Sequence, residues 1–419
     1  MGYRVWYSTE SLADYIIDNT NLSLERNIEK KKMYESDANN ANNFHTLPDH
    51  IKKILYLDAP DLIVEKDLEP IFSIEISTEA GTGHNVFQRF PRLAASVENN
   101  VPAFYIYPDA VIIHREATAT SAASTRWDKI NPLIFKALDK AMDIYQIPAL
   151  LYYFPTDLND YLSNPAASPN IDTKGLKFDS NIIKYSGCPD SYSSEMIDMF
   201  DSMNAILNEV NSHGVIDGRN RARRCHEIVT RIELMETIYH SRIGTRIWSP
   251  LTSIIQVPTS KVINYLSNFH DTTYHVGDLL NSRDETIIYC IDAKFRGDPY
   301  PGALAAIDYL KSRQGKSFEE RYYNLVLAWG KVEETETSIT VESNKPNQSI
   351  NFFCNKVATS EARSNILNKS FSELNNHEIS RYYMQVRYGS MFSKVKEIRV
   401  YSYFADAILF HDGALWRDG

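Results

Sequence analysis

The sequence predicts an α/β fold made of two similar domains, each a small mixed central sheet flanked by helices. Apolar runs typical of strands alternate along the chain with stretches of helical periodicity. The same order of elements, strand-turn-strand-helix-strand, occurs in both halves. The composition is that of a globular protein, with 43% apolar and 23% charged residues, and 419 residues suffice for about two or three domains.

Charge and composition exclude several classes of protein. The net charge of −10 argues against a protein coated in basic surface, although it is compatible with a local basic groove. The chain has no stretch of roughly 18 uncharged apolar residues, as a membrane span requires. Its N-terminus matches neither a signal peptide nor a myristoylation pattern. The four cysteines form no CxxC pair, which is typical of free thiols in a reducing compartment. We therefore expect a cytoplasmic protein with no membrane partner.

The first half of the chain alternates predicted helices and strands, separated by segments rich in turn-forming residues. Helices are predicted where apolar residues recur every three or four positions, and strands where apolar residues are continuous. The predicted elements are, in order, a helix after Ser11, strands at 61–64 and 71–77, a helix ending near Asn99, a strand at 101–107, a helix at 126–146 and a strand at 147–154.

The middle of the chain is predicted to connect the two domains. Residues 156–193 are rich in Asp, Asn, Pro and Ser, and apolar residues then recur at helical spacing from Met196 to Val210. These features predict an N-terminal domain at 1–155, a connecting helical region at 156–215 and a C-terminal domain at 216–419.

Arginines are concentrated between residues 216 and 246, where seven of them stand against four acids. Two interpretations are open. The arginines form either a groove that contacts the phosphates of a nucleic acid or a solvated helix face. The residues assigned to the groove are Arg219, Arg221, Arg223, Arg224 and Arg231.

The most informative feature of the sequence is an internal repeat. Residues 61–77 (DLIVEKDLEPIFSIEIS) and 278–294 (DLLNSRDETIIYCIDAK) have equal length, open with Asp-Leu and pass through a charged turn into an apolar strand. Each copy holds two acids that are 14 residues apart. A glycine-containing loop, a helix and a further strand follow in both halves. The paired acids are Asp61 with Glu75 and Asp278 with Asp292.

The spacing in the second copy indicates a site for a divalent cation. Residues i and i+2 of a strand point to one face, so Asp292 and Lys294 project together, and a hairpin is expected to return Asp278 beside them. Neighbouring carboxylates repel unless a cation lies between them, and oxygen ligands of this kind suit Mg²⁺. A bound metal lowers the pKa of water, and a nearby lysine orients the attacking hydroxide and stabilises charge on a phosphate. The pattern therefore predicts hydrolysis of a phosphodiester.

The repeated unit resembles the PD-(D/E)xK nuclease superfamily, which includes many restriction endonucleases. The resemblance covers the core of each half and implies two restriction-endonuclease-like domains. It implies that Asp278 and Asp292 bind the metal and that Lys294 positions the attacking water. The corresponding residues of the first copy are Asp61 and Glu75, as metal ligands, and Ser77.

The first copy departs from the family's pattern at Ser77, which cannot supply the positive charge of a lysine. Two interpretations are open for this copy: a variant active site, or a degenerate domain that only holds DNA. Polar residues follow at helical spacing, from which a hydrogen-bond donor could return to the site. These residues are His84, Asn85, Gln88 and Arg89, of which Gln88 and Arg89 are assigned to contact DNA.

The expected function is that of a Mg²⁺-dependent endodeoxyribonuclease, with Mn²⁺ as the substitute metal and double-stranded DNA as the partner. Two working sites on one chain would address both strands, whereas one working site implies nicking, or a homodimer for double-strand cleavage. Two alternatives stay open: a non-catalytic nucleic-acid-binding protein with relic nuclease folds, and a defence nuclease that acts on RNA or single strands.

Overall fold

A computed structural model describes the chain in segments that fall into two compact units. The first unit covers most of residues 1–245, and residues 246–419 make up most of the second. No helix within these segments is both long and apolar enough to cross a membrane. The described segments are 2–33, 47–55, 59–77, 84–108, 110–115, 124–129, 132–154, 185–242, 254–269, 283–291, 323–343, 345–349 and 405–416, with isolated positions between 117 and 122.

The first unit is built on one large sheet, with a separate hairpin and helices around it. Its strands are β1 (Tyr3–Tyr7), β2 (Ile28–Lys32), β3 (Leu62–Lys66), β4 (Glu69–Ile76), β5 (Ala103–Pro108), β6 (Ala110–Arg115), β7 (Ser124–Lys129) and β8 (Ala149–Phe154). Its helices are α1 (Glu10–Asn19), a 3₁₀ turn (Asn21–Leu24), α2 (Asp49–Lys52), α3 (His84–Glu98), α4 (Leu133–Tyr145), α5 (Ser194–His213), α6 (Val215–Ala222) and α7 (His226–Arg242).

The sheet of the first unit is mixed, with strand order β2-β1-β3-β4-β5-β8. Strand β3 pairs antiparallel with both β1 and β4, while β4, β5 and β8 run parallel. The parallel strands are apolar almost throughout because helices cover both of their faces. Helix α3 packs on one face, where Ser96 contacts Ser73 of β4, and α5 packs on the other, where Ser202 contacts Tyr152 of β8. The apolar core lies between these layers.

Helices α5 to α7 belong to the first unit, which changes the predicted domain boundaries. Helix α5 packs on β4 and β8, α6 on β4 and α7 on β8. Close approach of α5 and α6 depends on Gly218, where an added β-carbon would lie 2.5 Å from the Cα of Val210. Residues 194–242 therefore complete the first fold, whereas the sequence predicted a connection at 156–215 and a new domain from 216.

The second unit has its own mixed sheet, with strand order β15-β14-β11-β10-β9. Strands β10, β11 and β14 run parallel, β9 and β15 are antiparallel edges, and β12 pairs with β13 in a separate hairpin. The elements are β9 (Ile254–Pro258), α8 (Thr259–Leu266), β10 (Glu285–Ile291), β11 (Tyr323–Trp329), β12 (Lys331–Glu334), β13 (Ile339–Glu342), β14 (Ala407–Phe410) and β15 (Gly413–Trp416).

The predicted α/β class, with mixed sheets flanked by helices, is confirmed, and so is the order of elements in the first copy of the repeat. There the chain runs from β3 through a tight turn to β4, then through α3 to β5. In the second copy the predicted strands β10 and β11 are present. The sequence predicted that β10 would pair within a hairpin at 278–294, and its neighbours are different strands. Over residues 285–291, β10 pairs with β9 on one side and β11 on the other.

Candidate active site

The candidate site lies at the carboxyl end of β4, where the first copy of the repeat brings its two acids together. Leu62 pairs with Ile74, and the backbone N–H of Asp61 donates to the carbonyl of Ile74 at 2.9 Å, so Asp61 lies opposite Glu75. On the other side of β4, Glu75 pairs with Tyr105 of β5. Residues in register on neighbouring strands share a face of the sheet, so these three side chains form one row.

Helix α3 brings two arginines onto this row. An Nη1–H group of Arg92 donates to Oε1 of Glu75 at 2.6 Å, and Nη1 of Arg89 donates to the same oxygen. Arg89, Arg92 and Ser96 are spaced three and four residues apart, which places them on one face of the helix. We call Asp61, Glu75, Arg89, Arg92 and Tyr105 the Glu75 cluster.

Glu75 is a fully buried carboxyl group whose second oxygen is unused. Its exposed fraction is 0%, and Oε2 has no hydrogen-bond partner among the described residues. Burial raises the pKa of Glu75 to about 7, Arg92 and Arg89 oppose this rise, and the nearby charge of Asp61 adds to it. A buried acceptor without a partner costs free energy. A cation or a hydrogen-bond donor next to Oε2 would remove that cost.

Two further groups of the row interact electrostatically with Glu75. The carboxylate of Asp61 is fixed in place, because Oδ2 accepts the backbone N–H of Ile76 at 2.9 Å and Oδ1 accepts the hydroxyl of Ser8 at 3.3 Å. The hydroxyl of Tyr105 is buried and, within the described part of the chain, has no hydrogen-bond partner. Burial raises the pKa of Tyr105 well above its ordinary value, so this phenol is neutral. The site thus combines two acids, two cations and one neutral hydroxyl.

Ser77 lies just after β4 and is completely buried, with its backbone N–H donating to the carbonyl of Ile106 at 2.9 Å. As the sequence indicated, a serine brings no charge there, and the positive charge comes from α3. The prediction that a donor on this helix returns to the site is confirmed for Arg89. The assignments of Arg89 and Gln88 to DNA stay predictions, and the side chains of His84, Asn85 and Gln88 lie outside the described residues.

A second buried acid of the same sheet provides a contrast. Oε1 of Glu65 accepts from Arg4 at 2.7 Å, and Oε2 contacts Nε1 of Trp6 at 2.8 Å and Nε2 of His50 at 2.9 Å. Both oxygens are therefore paired within the protein, as buried polar groups usually are. Glu75 differs from Glu65 in having one oxygen left over.

The arginine-rich segment contacts the protein's own backbone at several points. Nη1 of Arg219 donates to the carbonyl of Pro70 at 2.6 Å, Arg223 donates to the carbonyl of Met142, and Nε of Arg231 donates to the carbonyl of Leu151 at 2.9 Å. Arg219 and Arg231 are buried, with exposed fractions of 6% and 3%.

The groove interpretation is therefore wrong for Arg219 and Arg231, since a buried guanidinium cannot meet a phosphate in solution. Arg231 also forms an ion pair with Glu195 at 2.9 Å and lies over the ring of Tyr152, 4.0 Å from its centroid. Arg223 is half-buried, and Arg221 and Arg224 are exposed. The exposed side chains of Arg221 and Arg224 keep the accessibility that a phosphate contact requires.

The Glu75 cluster contains the smallest set of oxygen donors with which proteins commonly hold Mg²⁺. Within the described residues there is no group of three or more His, Cys, Asp or Glu side chains that could hold a metal ion. Mg²⁺, however, is commonly held by one or two carboxylates and completes its shell with waters and substrate phosphates. Asp61 and the open oxygen of Glu75 supply that minimum. In the second copy, Asp278, Asp292 and Lys294 lie outside the described residues.

Sequence reasoning did not identify Arg92 or Tyr105. Arg92 follows Arg89 by three residues, so helical spacing alone contained the signal. Tyr105 is brought to Glu75 by the register of β4 and β5, which no local pattern reveals. Comparison of the chain with protein-family models, curated proteins and solved structures gives no match.

Proposed function

We propose that the chain is a Mg²⁺-dependent endodeoxyribonuclease of the PD-(D/E)xK type, which hydrolyses phosphodiester bonds of double-stranded DNA in the cytoplasm. The observation that carries the proposal is the open oxygen of the buried Glu75 carboxyl group beside a second, fixed carboxylate. Strongly shifted pKa values cluster at functional sites, which makes a buried acid beside charged partners in such a place a candidate ligand. The topology around the site, β3 to β4 to α3 to β5, supports the same class.

In this proposal Asp61 and Glu75, at the carboxyl end of β4, would hold the ion. When bound, Mg²⁺ supplies a water of lowered pKa and neutralises charge on the phosphate. The backbone N–H of Ile76 and the hydroxyl of Ser8 keep Asp61 oriented, so that ligand geometry is set before the ion arrives. Arg92 binds Oε1 of Glu75, so Oε2 would be the oxygen that holds the ion.

A second site at Asp278, Asp292 and Lys294 is part of the proposal and would give one chain two cleavage centres. With both sites active, a monomer cuts both strands. With one active, the product is a nick, or a homodimer makes the double-strand break.

A non-catalytic nucleic-acid-binding function is favoured by one specific observation. Two guanidinium groups already contact Glu75, and Ser77 stands where the nuclease pattern has lysine. A cluster balanced in this way holds its shape without a metal, as a relic domain that only binds DNA would. The two functions differ in whether a divalent metal produces cleavage.

Incubating the full chain with supercoiled plasmid, linear duplex, single-stranded DNA and RNA tests the proposal. We expect duplex cleavage with Mg²⁺ or Mn²⁺ and none with EDTA. Glu75→Gln and Lys294→Ala should each lower cleavage at one site by at least about 100-fold. Arg26→Ala, at an exposed position with no assigned role, should retain activity. Complementary nicks from the two variants would establish two working sites. Duplex binding without cleavage at any metal concentration would instead establish the binding function, and cleavage confined to RNA or single strands would establish the defence-nuclease alternative.

A further inference from the structure

The positive charge that Ser77 does not supply is present in the Glu75 cluster on a different element. We propose that Arg89 of α3 is a catalytic residue of this site and contacts a non-bridging oxygen of the scissile phosphate. The inference rests on the proposed nuclease function and assigns to a helix arginine the charge that the repeat's second copy carries on Lys294. A phosphate undergoing hydrolysis gains negative charge on these oxygens, and a fixed cation stabilises that charge.

The hydrogen bonds of Arg89 leave one edge of its guanidinium open. Nη1 donates to Glu75 and, at 3.3 Å, to the carbonyl of Ile76. Within the described part of the chain, Nε and Nη2 of Arg89 make no hydrogen bond. The planar guanidinium presents these two donors side by side, in the arrangement that binds two oxygens of one phosphate.

Accessibility separates Arg89 from Arg92. The side chain of Arg89 is 23% exposed, that of Arg92 is 12% exposed, and Glu75 beneath them is completely buried. A phosphate that approaches the cluster therefore meets Arg89 first. Glu75 fixes one end of the guanidinium, and its negative charge opposes the effect of burial and raises the pKa of Arg89. The arginine is thus held in position before substrate arrives, as electrostatic catalysis requires.

Arg92 makes the loss of Arg89 tolerable for the fold. Both arginines donate to the same oxygen of Glu75, so in an Arg89→Ala variant Glu75 keeps a charged partner at 2.6 Å. The site then loses one cation while the buried acid stays paired.

The reaction assigned to the site balances without another reagent. A water molecule releases one proton to solvent and its oxygen forms a new bond to phosphorus. One phosphorus–oxygen ester bond breaks, and the leaving oxygen takes a proton from water. Arg89 transfers no proton and stays charged, since its guanidinium does not titrate in the working range. Its contribution is to the free energy of the transition state.

Single-turnover cleavage of a duplex oligonucleotide by the full chain tests this role. We expect Arg89→Ala to lower the rate constant at the Glu75 site by at least about 100-fold. Arg89→Lys should retain part of the activity, and free methylguanidinium should restore part of the activity of Arg89→Ala. Duplex binding in Ca²⁺, measured by fluorescence anisotropy, and the unfolding temperature should stay close to wild type. Arg26→Ala is the matched control because that arginine is exposed, lies outside the cluster and is not among the residues assigned to DNA.

Each outcome decides a different point. If the wild type cleaves and Arg89→Ala cleaves within about 3-fold of it, the role of Arg89 is overturned and the nuclease function stands. A loss that neither lysine nor methylguanidinium relieves, with a lowered unfolding temperature, assigns Arg89 a structural role and also overturns the inference. If the wild type cleaves no substrate with any divalent metal, the proposed function fails and the inference fails with it.

Discussion

Burial and the two arginines shift the pKa of Glu75 in opposite directions, and the pH dependence of stability shows which effect is larger. Comparison of the wild type with Glu75→Gln measures that dependence. Burial raises the pKa of Glu75 from 4.5 to about 7 in the folded protein. Between pH 4.5 and about pH 7 the folded state binds more protons than the unfolded state, so the free energy of unfolding falls as the pH rises. At about 1.4 kcal/mol per pH unit, the loss amounts to about 3 kcal/mol, completed near pH 7. Gln has no proton to release, so the variant lacks this dependence.

Urea unfolding of both proteins from pH 4 to pH 8 gives the comparison, with a separate transition allowed for each unit. Replacing Glu75 removes the carboxylate that two half-buried guanidinium groups share. This lowers stability by an amount that does not change over this range because arginine does not titrate. The difference between wild type and variant should therefore shrink by about 3 kcal/mol as the pH rises. A constant difference would refute the raised pKa, and a difference that grows with pH would show that the arginines dominate.

The remaining predictions concern stability. Arg231→Met should lower the unfolding free energy by about 3 kcal/mol, because it removes the ion-pair partner of the half-buried Glu195 and the donor to the carbonyl of Leu151. Arg224→Ala should change it by less than about 0.5 kcal/mol. Equal effects in urea unfolding would contradict the burial assigned to Arg231. Ser73→Ala should cost about 1 kcal/mol, since it breaks the 2.6 Å contact with Ser96. The double variant Ser73→Ala/Ser96→Ala should be little less stable than Ser73→Ala alone. If the losses of the two single variants simply added, the hydrogen bond between Ser73 and Ser96 would be contradicted.

The strands and helices around the candidate site were predictable because their signals are local. Continuous apolar runs predicted β4, β5 and β8, and the charged turn after β3 predicted the hairpin that pairs Asp61 with Glu75. Helical spacing indicated that α3 would return a donor, which Arg89 does. The same local reasoning failed at residues 126–129, where a helical pattern lies in strand β7, because pairing with β6 overrides the periodicity.

Partners that lie far apart in the chain were not predictable. The arginines of α6 and α7 suggested a phosphate groove, yet Arg231 donates to a carbonyl that precedes it by 80 residues, and Arg219 to one that precedes it by 149. The antiparallel neighbour of β10 was likewise expected from the adjacent hairpin and is β9 instead. Local patterns report how a segment folds, whereas the identity of its neighbour depends on the packing of the whole unit.

The chain's own pattern of acids, apolar runs and repeats was enough to establish an α/β protein with mixed sheets and to place Asp61 and Glu75 on one hairpin. Tertiary packing alone decided that Glu75 would be completely buried, that one of its oxygens would be left without a partner, and that Arg92 and Tyr105 would join it. The physical reason is that burial and strand register arise from contacts between distant segments. These contacts set the pKa of a side chain and decide which of its polar atoms have hydrogen-bond partners. Neither property is encoded in its immediate neighbours.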